Sequence, residues 1–471
     1  MPAEASSSPV QLWARLAWLP DGWSEHVVAR AGEDGRWTEV TAGVATPPEG
    51  SHVIDSPLLP GVVDAHSHAF QRAFVAGAET RDGAHDDFWS WRERMYAIAL
   101  RISPVQLRAV AAHLYLELLR GGYTHVCEFH YLRRRVDGSD YADPIAMSWA
   151  LADAAADVGI GLTILPVLYE RASFAVPLRD DQRRFRADAR ATFEAAARIR
   201  AAARPLVGAG FAVHSLRAAS AESIAVLRAL VDAVDAPIHI HVAEQTAEVD
   251  ACVRATGQRP IAWLSRAGVL DRRWQLVHAT HANPDEIAAV AGAGAGVVIC
   301  PTTEANLGDG IFALPAWLGA GVPLTIGSDS QATRDWREEL RLLEYTQRLV
   351  CRARNVAAAP ELGIGSSAER LFARVVAGSA GAVGHASWGL VAGARADALV
   401  VDTSDPALCG VAQRKMLDAL VFSSPTLPWK DVVVGGRWRI RAGKHRSAAA
   451  IARRYTAAVD ALSGTETARS S

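Results

Sequence analysis

Lysine is almost absent from this chain: among 471 residues it occurs only at Lys415, Lys430 and Lys444. The 49 basic residues are set against 51 acidic ones, a formal charge of −2, and form no basic block. Nothing therefore points to a nucleic-acid partner or an acidic membrane surface. Cysteine is scarce too. Cys127, Cys252, Cys300, Cys351 and Cys409 are odd in number and widely scattered. That pattern excludes a disulfide scaffold, fits a reducing compartment and predicts buried, inert thiols. No uninterrupted apolar run reaches the roughly 18 residues needed to cross a bilayer. Met1 to Pro20 lacks the basic-then-apolar order of a secretory signal. The expectation is a soluble, cytoplasmic chain.

What the sequence does have is histidine at the ends of apolar runs. Pro60-Gly61-Val62-Val63-Asp64-Ala65-His66-Ser67-His68 reads as a strand entering two histidines one residue apart. On an extended strand, residues i and i+2 share a side, so His66 and His68 can close on one metal ion. Three further segments follow in order: Pro237 to Glu244 with His241, Trp274 to His281 with His278, and Val322 to Ser330 with Asp329. Each polar group ends its own strand. Catalytic residues gathered from several strand ends at one face are what a (β/α)8 barrel supplies. Half of the residues are hydrophobic, enough for a barrel of about 250 residues or more and a smaller domain.

Residues 60–388 carry the alternation of short apolar runs and Ala/Arg/Leu-rich helical stretches expected of that barrel. One helix is fully punctuated: Ser103 caps it, Pro104 opens it, Leu107, Val110, Ala111, Leu114 and Leu118 form its stripe, and Gly121-Gly122 stops it. Residues 1–59 offer strand-like pieces at Gln11–Trp18 and Trp37–Val40. Residues 389–445 offer more, at 389–401 and 431–440. Together they predict a small β-sandwich-like domain built from both ends of the chain. Residues 446–471 read as a C-terminal helix and a frayed tail.

The strings His66-Ser67-His68-Ala69-Phe70-Gln71-Arg72-Ala73, Phe88-Trp89-Ser90-Trp91-Arg92-Glu93 and Glu128-Phe129-His130-Tyr131 are specific when found in this order. So are His214-Ser215-Leu216-Arg217 and Thr303-Glu304-Ala305-Asn306-Leu307-Gly308-Asp309-Gly310. On them, nearly the whole chain resembles the amidohydrolase superfamily and, within it, the formimidoylglutamate deiminases of histidine degradation. The likeness weakens at Gln331–Trp336. Binuclear amidohydrolases bridge two metals with a carboxylated lysine from a barrel strand, and no lysine precedes residue 415. The resemblance thus implies one zinc per chain held by His66, His68, His241 and Asp329, although these ligand types also admit iron or manganese. It further implies that metal-activated water attacks a formimino carbon, with Asp329 handling the water proton, Glu244 protonating the leaving nitrogen and His278 stabilising the oxygen centre. Arg92 and Arg217 would hold the carboxylates of a small dicarboxylate substrate, with Gln71, Tyr131 and His214 beside them. A homodimer is implied as well.

Other readings compete for several residues. Glu244 could instead answer a helix dipole. His239 is read as a packed group facing away from His241, His281 as a turn or cap residue, and His130 as structural or functional. The Phe88–Trp91 aromatics read as core and pocket wall, and Arg133–Arg135 as a solvated loop. The aspartate homologue of the substrate, a nucleobase-like substrate and a non-catalytic metal-binding scaffold are the alternative functions. One methylene separates the first from the glutamyl compound, a difference of about 1–3 kcal/mol.

Overall fold

The computed structural model describes residues 8–75, 77–81, 88–423 and 428–463. The frayed tail expected at Thr465–Ser471 and the side chains of Phe88 and Trp89 lie outside them. Eight parallel strands run in chain order: β1 (Val62–Ser67), β2 (Tyr123–His130), β3 (Gly161–Leu168), β4 (Phe211–Val213), β5 (Ile238–Val242), β6 (Trp274–His278), β7 (Gly296–Ile299) and β8 (Leu324–Ile326). Each pairs with the next. Their side chains are buried throughout, as expected of strands packed between a filled interior and a layer of helices. The ring closes just beyond β8, where Asp329 N–H donates to His66 O at 2.9 Å and His68 N–H to Asp329 O at 3.3 Å. Gly327 permits that approach: a Cβ there would sit 2.7 Å from the Cβ and O of His66.

The helix read from Ser103 onward is present as Pro104–Arg120, with Ser103 and Gln106 forming a reciprocal cap. At the far end of the barrel, the helix Ser367–Val383 brings its last carbonyls under the interior. Ala382 O accepts from His239 Nε2 at 3.0 Å and from Cys127 Sγ at 3.5 Å. His239 therefore shares the inward side with His241, as an i, i+2 pair must, and sits one layer deeper; the expectation that it faces away is corrected.

Both ends of the chain build a second sheet of eight strands. Leu58–Pro60 lies at its centre, parallel to Gln11–Leu19 on one side and antiparallel to Ala398–Val401 on the other. Gly22–Ala31, Trp37–Thr41 and His52–Ile54 extend the N-terminal part, and Trp429–Val434 with Arg437–Ile440 the C-terminal part. Leu12, Ala14, Val27, Trp37, Leu58, Ala398 and Val433 form its separate core. The long strand read at 389–401 shortens to Ala398–Val401, because Arg395 and Asp397 are spent on a buried ion pair. Ala448–Ser463 is a helix. Two further corrections concern individual side chains. Cys351 and Cys409 are exposed rather than buried. In the Arg133–Arg135 loop, Arg135 is exposed as expected, whereas Arg133 and Arg134 are half-buried and donate to Ala191 O and Arg186 O.

Candidate active site

His66, His241, His278 and Asp329 arrive from β1, β5, β6 and the turn after β8, with His68 just past β1, all at the carboxyl face of the barrel. His241 Nε2 faces His66 Nε2 at 3.0 Å, and Asp329 Oδ1 lies 3.4 Å from both His66 Nε2 and His68 Nε2. The other ring nitrogen fixes the tautomer of two of these histidines. His68 Nδ1 donates to Phe129 O and His241 Nδ1 to His214 O, each at 2.9 Å. Their Nε2 lone pairs are thereby left to face Asp329 and His66, respectively.

Burial lowers the pKa of His66 to about 3, and burial likewise lowers those of His68 and His241, so all three imidazoles are neutral. Asp329, although buried, is held below the usual carboxylate range by His66, His68 and His278. Three neutral imidazoles and a carboxylate form a zinc-type donor set. Bonds of about 2.0–2.2 Å to one ion would set neighbouring donors roughly 3.0–3.5 Å apart. The His66–His241, His66–Asp329 and His68–Asp329 separations of 3.0, 3.4 and 3.4 Å meet that, with His66, His68 and Asp329 forming one close group and His66, His241 and His278 another. The residues fit the ion.

His278 stands beside this centre, its Nε2 3.7 Å from Asp329 Oδ2 and 3.6 Å from Glu244 Oε1. Its Nδ1 lies 3.3 Å from Glu304 Oε1. Burial opposes its charged form, yet Glu244, Glu304 and Asp329 outweigh that and raise its pKa to about 10. Burial pushes Glu244 up to about 7. Ala243, His278, Ala279 and Asp329 all adopt left-handed backbone angles, with φ of 53°, 69°, 50° and 45°. Non-glycine residues in that region are uncommon and store strain, and here they mark the strand ends that carry the site.

A cavity opens over the cluster and is lined by His68, His241, Glu244, His278 and Asp329. Gln71, Arg92, Tyr131, His214 and Arg217 line the same cavity, so every site residue expected from the sequence except the buried His66 meets it. Burial first, and then the charge of Arg217 after the opposing effect of Tyr96, bear on Arg92, whose pKa is lowered. The two guanidiniums share one partly enclosed space with the carboxyl groups of Glu244 and Glu248. Gln71 Nε2 donates to Tyr131 Oη at 3.5 Å, while its buried Oε1 has no donor among the described residues. Trp91 is on the wall, as expected.

Residues 58–439 match the amidohydrolase family. The chain belongs to that family. It is a hydrolase of C–N bonds other than peptide bonds. Formimidoylglutamate deiminase of Pseudomonas aeruginosa is 43% identical over 443 residues, covering 92% of this chain and 95% of that one. An 8-oxoguanine deaminase of the same organism is 28% identical, covering 91% and 94%. The crystal structure of an amidohydrolase from Brucella melitensis, 39% identical, superposes with a TM-score of 0.90 over 96% of this chain and 99% of that one.

Several contributors to this amidohydrolase site carried no assigned role in the sequence. Glu304, at the start of the helix after β7, takes Cys300 N–H at 2.9 Å and orients His278. Gln331 lies in the segment where the resemblance fades; its Nε2 ties Ser67 Oγ at 3.1 Å to Asp329 O at 2.8 Å. Asp64 accepts from Ser328 N–H at 2.9 Å and so holds the turn before Asp329. The only available signal was a polar residue inside an apolar strand or next to a strand end. His281 bridges two loops through Asp309 O at 2.8 Å, and His130 lies outside the cavity with its Nε2 unpartnered among the described residues.

Proposed function

We propose that this amidohydrolase converts N-formimino-L-glutamate and water to N-formyl-L-glutamate and ammonia, using one zinc ion per chain. The observation that carries the reading is the pair Arg92 and Arg217 in one cavity with the His66, His68, His241 and Asp329 cluster. A dicarboxylate bearing a hydrolysable carbon meets both demands. A nucleobase has no anion for the two guanidiniums, and the weaker 28% relationship to an 8-oxoguanine deaminase agrees.

His66, His68, His241 and Asp329 would hold the ion, which when bound acidifies water and polarises the attacked group. Asp329 Oδ2, turned toward His278, accepts the proton of the attacking water. The formimino carbon becomes tetrahedral. Glu244 delivers a proton to the terminal nitrogen, since ammonia departs far more readily than amide ion. His278 hydrogen-bonds the new oxygen centre and holds its own position against Glu304. Gln71 Oε1, which lacks a donor among the described residues, takes an N–H of the formimino group. Tyr131 and His214 shape the space between that group and the arginines. The homodimer and cytoplasmic location expected from the sequence stay within this reading, and light scattering at twice 50.2 kDa checks the former.

An ammonia-release assay on N-formimino-L-glutamate, its aspartate analogue and a nucleobase panel tests the proposal. The glutamyl compound is expected to give the highest kcat/KM; a preferred nucleobase would refute it.

A further inference from the structure

Tyr96 and Tyr169 line the cavity beside Arg92 and Arg217, yet neither has a role in the chemistry above. Behind them lies Gln182, buried at 1% exposure in the excursion between β3 and the helix Ala189–Ala201. Its Nε2 donates to Tyr169 Oη at 3.0 Å and to Tyr96 Oη at 3.3 Å. Its Oε1 accepts Arg179 N–H at 3.1 Å. A backbone N–H can only donate, so the amide cannot be flipped, and its NH2 group must face the phenols. Both phenolic oxygens are therefore acceptors toward Gln182, and both hydroxyl hydrogens must go elsewhere. At most one can serve the other tyrosine, with which Tyr169 interacts. At least one O–H is left for an acceptor beyond Gln182 and the other tyrosine, in a cavity where the neighbouring guanidiniums of Arg92 and Arg217 are donors without acceptor capacity and the carboxylates are Glu244, Glu248 and Asp329.

We propose that Tyr96 and Tyr169, oriented by Gln182, form part of the carboxylate-recognition site, adding a fixed O–H donor to the guanidiniums of Arg92 and Arg217. The inference rests on the dicarboxylate reading above and extends it. An arginine pair alone attracts any anion; a phenolic donor of fixed direction selects a planar carboxylate at one position. Gln182 does not touch the ligand and is a positioning residue. Burial and Tyr96 keep the Tyr169 hydroxyl far above its ordinary pKa, so it remains a donor.

The test measures kcat and KM for N-formimino-L-glutamate on Tyr96→Phe, Tyr169→Phe, the double variant and Gln182→Met, with zinc content determined for each. Phenylalanine keeps the ring packing and removes only the donor. The double variant is expected to raise KM about tenfold or more, because a hydrogen bond to a charged group is lost, with kcat within about threefold of the parent. N-ethylformamidine, which has no carboxylate, should show the same kcat/KM on all variants. Gln182→Met should raise KM in the parent and add nothing in the double variant, because the two changes remove one interaction. A parental KM in the double variant, equal losses on both substrates, or an additive Gln182 effect overturns the inference alone. Failure of the parent enzyme to act on N-formimino-L-glutamate overturns both this and the proposed function.

Discussion

Glu244 lies 3.6 Å from His278 and outside the four-residue donor set, so its chemistry can be separated from metal retention. Glu244→Gln, nearly isosteric, is expected to keep one zinc per chain and lose about 10²-fold or more in turnover. Elemental analysis beside a kcat measurement checks it, and near-normal turnover would remove Glu244 from the mechanism. Arg92→Met and Arg217→Met should each leave a carboxylate oxygen without its charged partner, costing about 1.5–3 kcal/mol in kcat/KM for N-formimino-L-glutamate. The same variants should barely change kcat/KM for N-ethylformamidine; equal losses on the two would show that the arginines shape the fold instead. These residues were legible because each stands at a strand end or within a motif string. Glu304 stood in a motif string without a role, and Gln331 and Gln182 were not legible at all, since a side chain whose task is to orient another has no spacing rule of its own. His239 shows the opposite failing: a strand-end histidine pair looks alike in sequence whether both members reach the mouth of the barrel or one lies a layer below.

At the scale of the element, the short strand β8 and its turn decide whether the site exists. Its three residues, Leu324–Ile326, were legible as an apolar run, but barrel closure depends on Gly327 and on Gln331 tying Ser67 to Asp329. Gly327→Ala would drive a methyl group to within 2.7 Å of His66, against backbone that cannot move without opening the ring. The expected cost is about 1–3 kcal/mol or more of stability, accompanied by weakened zinc retention, because Asp329 and His66 would separate. Thermal unfolding and zinc content measured together test this; unchanged values for both would show that the closure tolerates a side chain. Left-handed angles at Ala243, His278, Ala279 and Asp329 could not be read from the sequence, where such positions announce themselves only when glycine fills them. The strand at Ala398–Val401 came out shorter than its apolar run because pattern alone does not reveal that Arg395 and Asp397 are committed to each other.

The whole molecule joins barrel to sheet through that pair. Arg395 also donates to Thr124 O at 2.9 Å on β2 and stacks over Trp388 at 4.7 Å, while Trp388 Nε1 reaches Gly61 O at 2.8 Å just before β1. Arg395→Met would strand Asp397 as a buried charge, and a loss of about 3–5 kcal/mol is expected in denaturant unfolding. A change below about 1 kcal/mol would deny the pair that joining role. Across the intact enzyme, the central claim is deimination, and the tetrahedral carbon has two C–N bonds that could break. In the proposed mechanism, the nitrogen that Glu244 protonates sets which one breaks. Product analysis by NMR of a complete turnover of N-formimino-L-glutamate decides it directly. N-formyl-L-glutamate and ammonia in equal amounts are predicted; L-glutamate with formamide, or no reaction, would contradict the account.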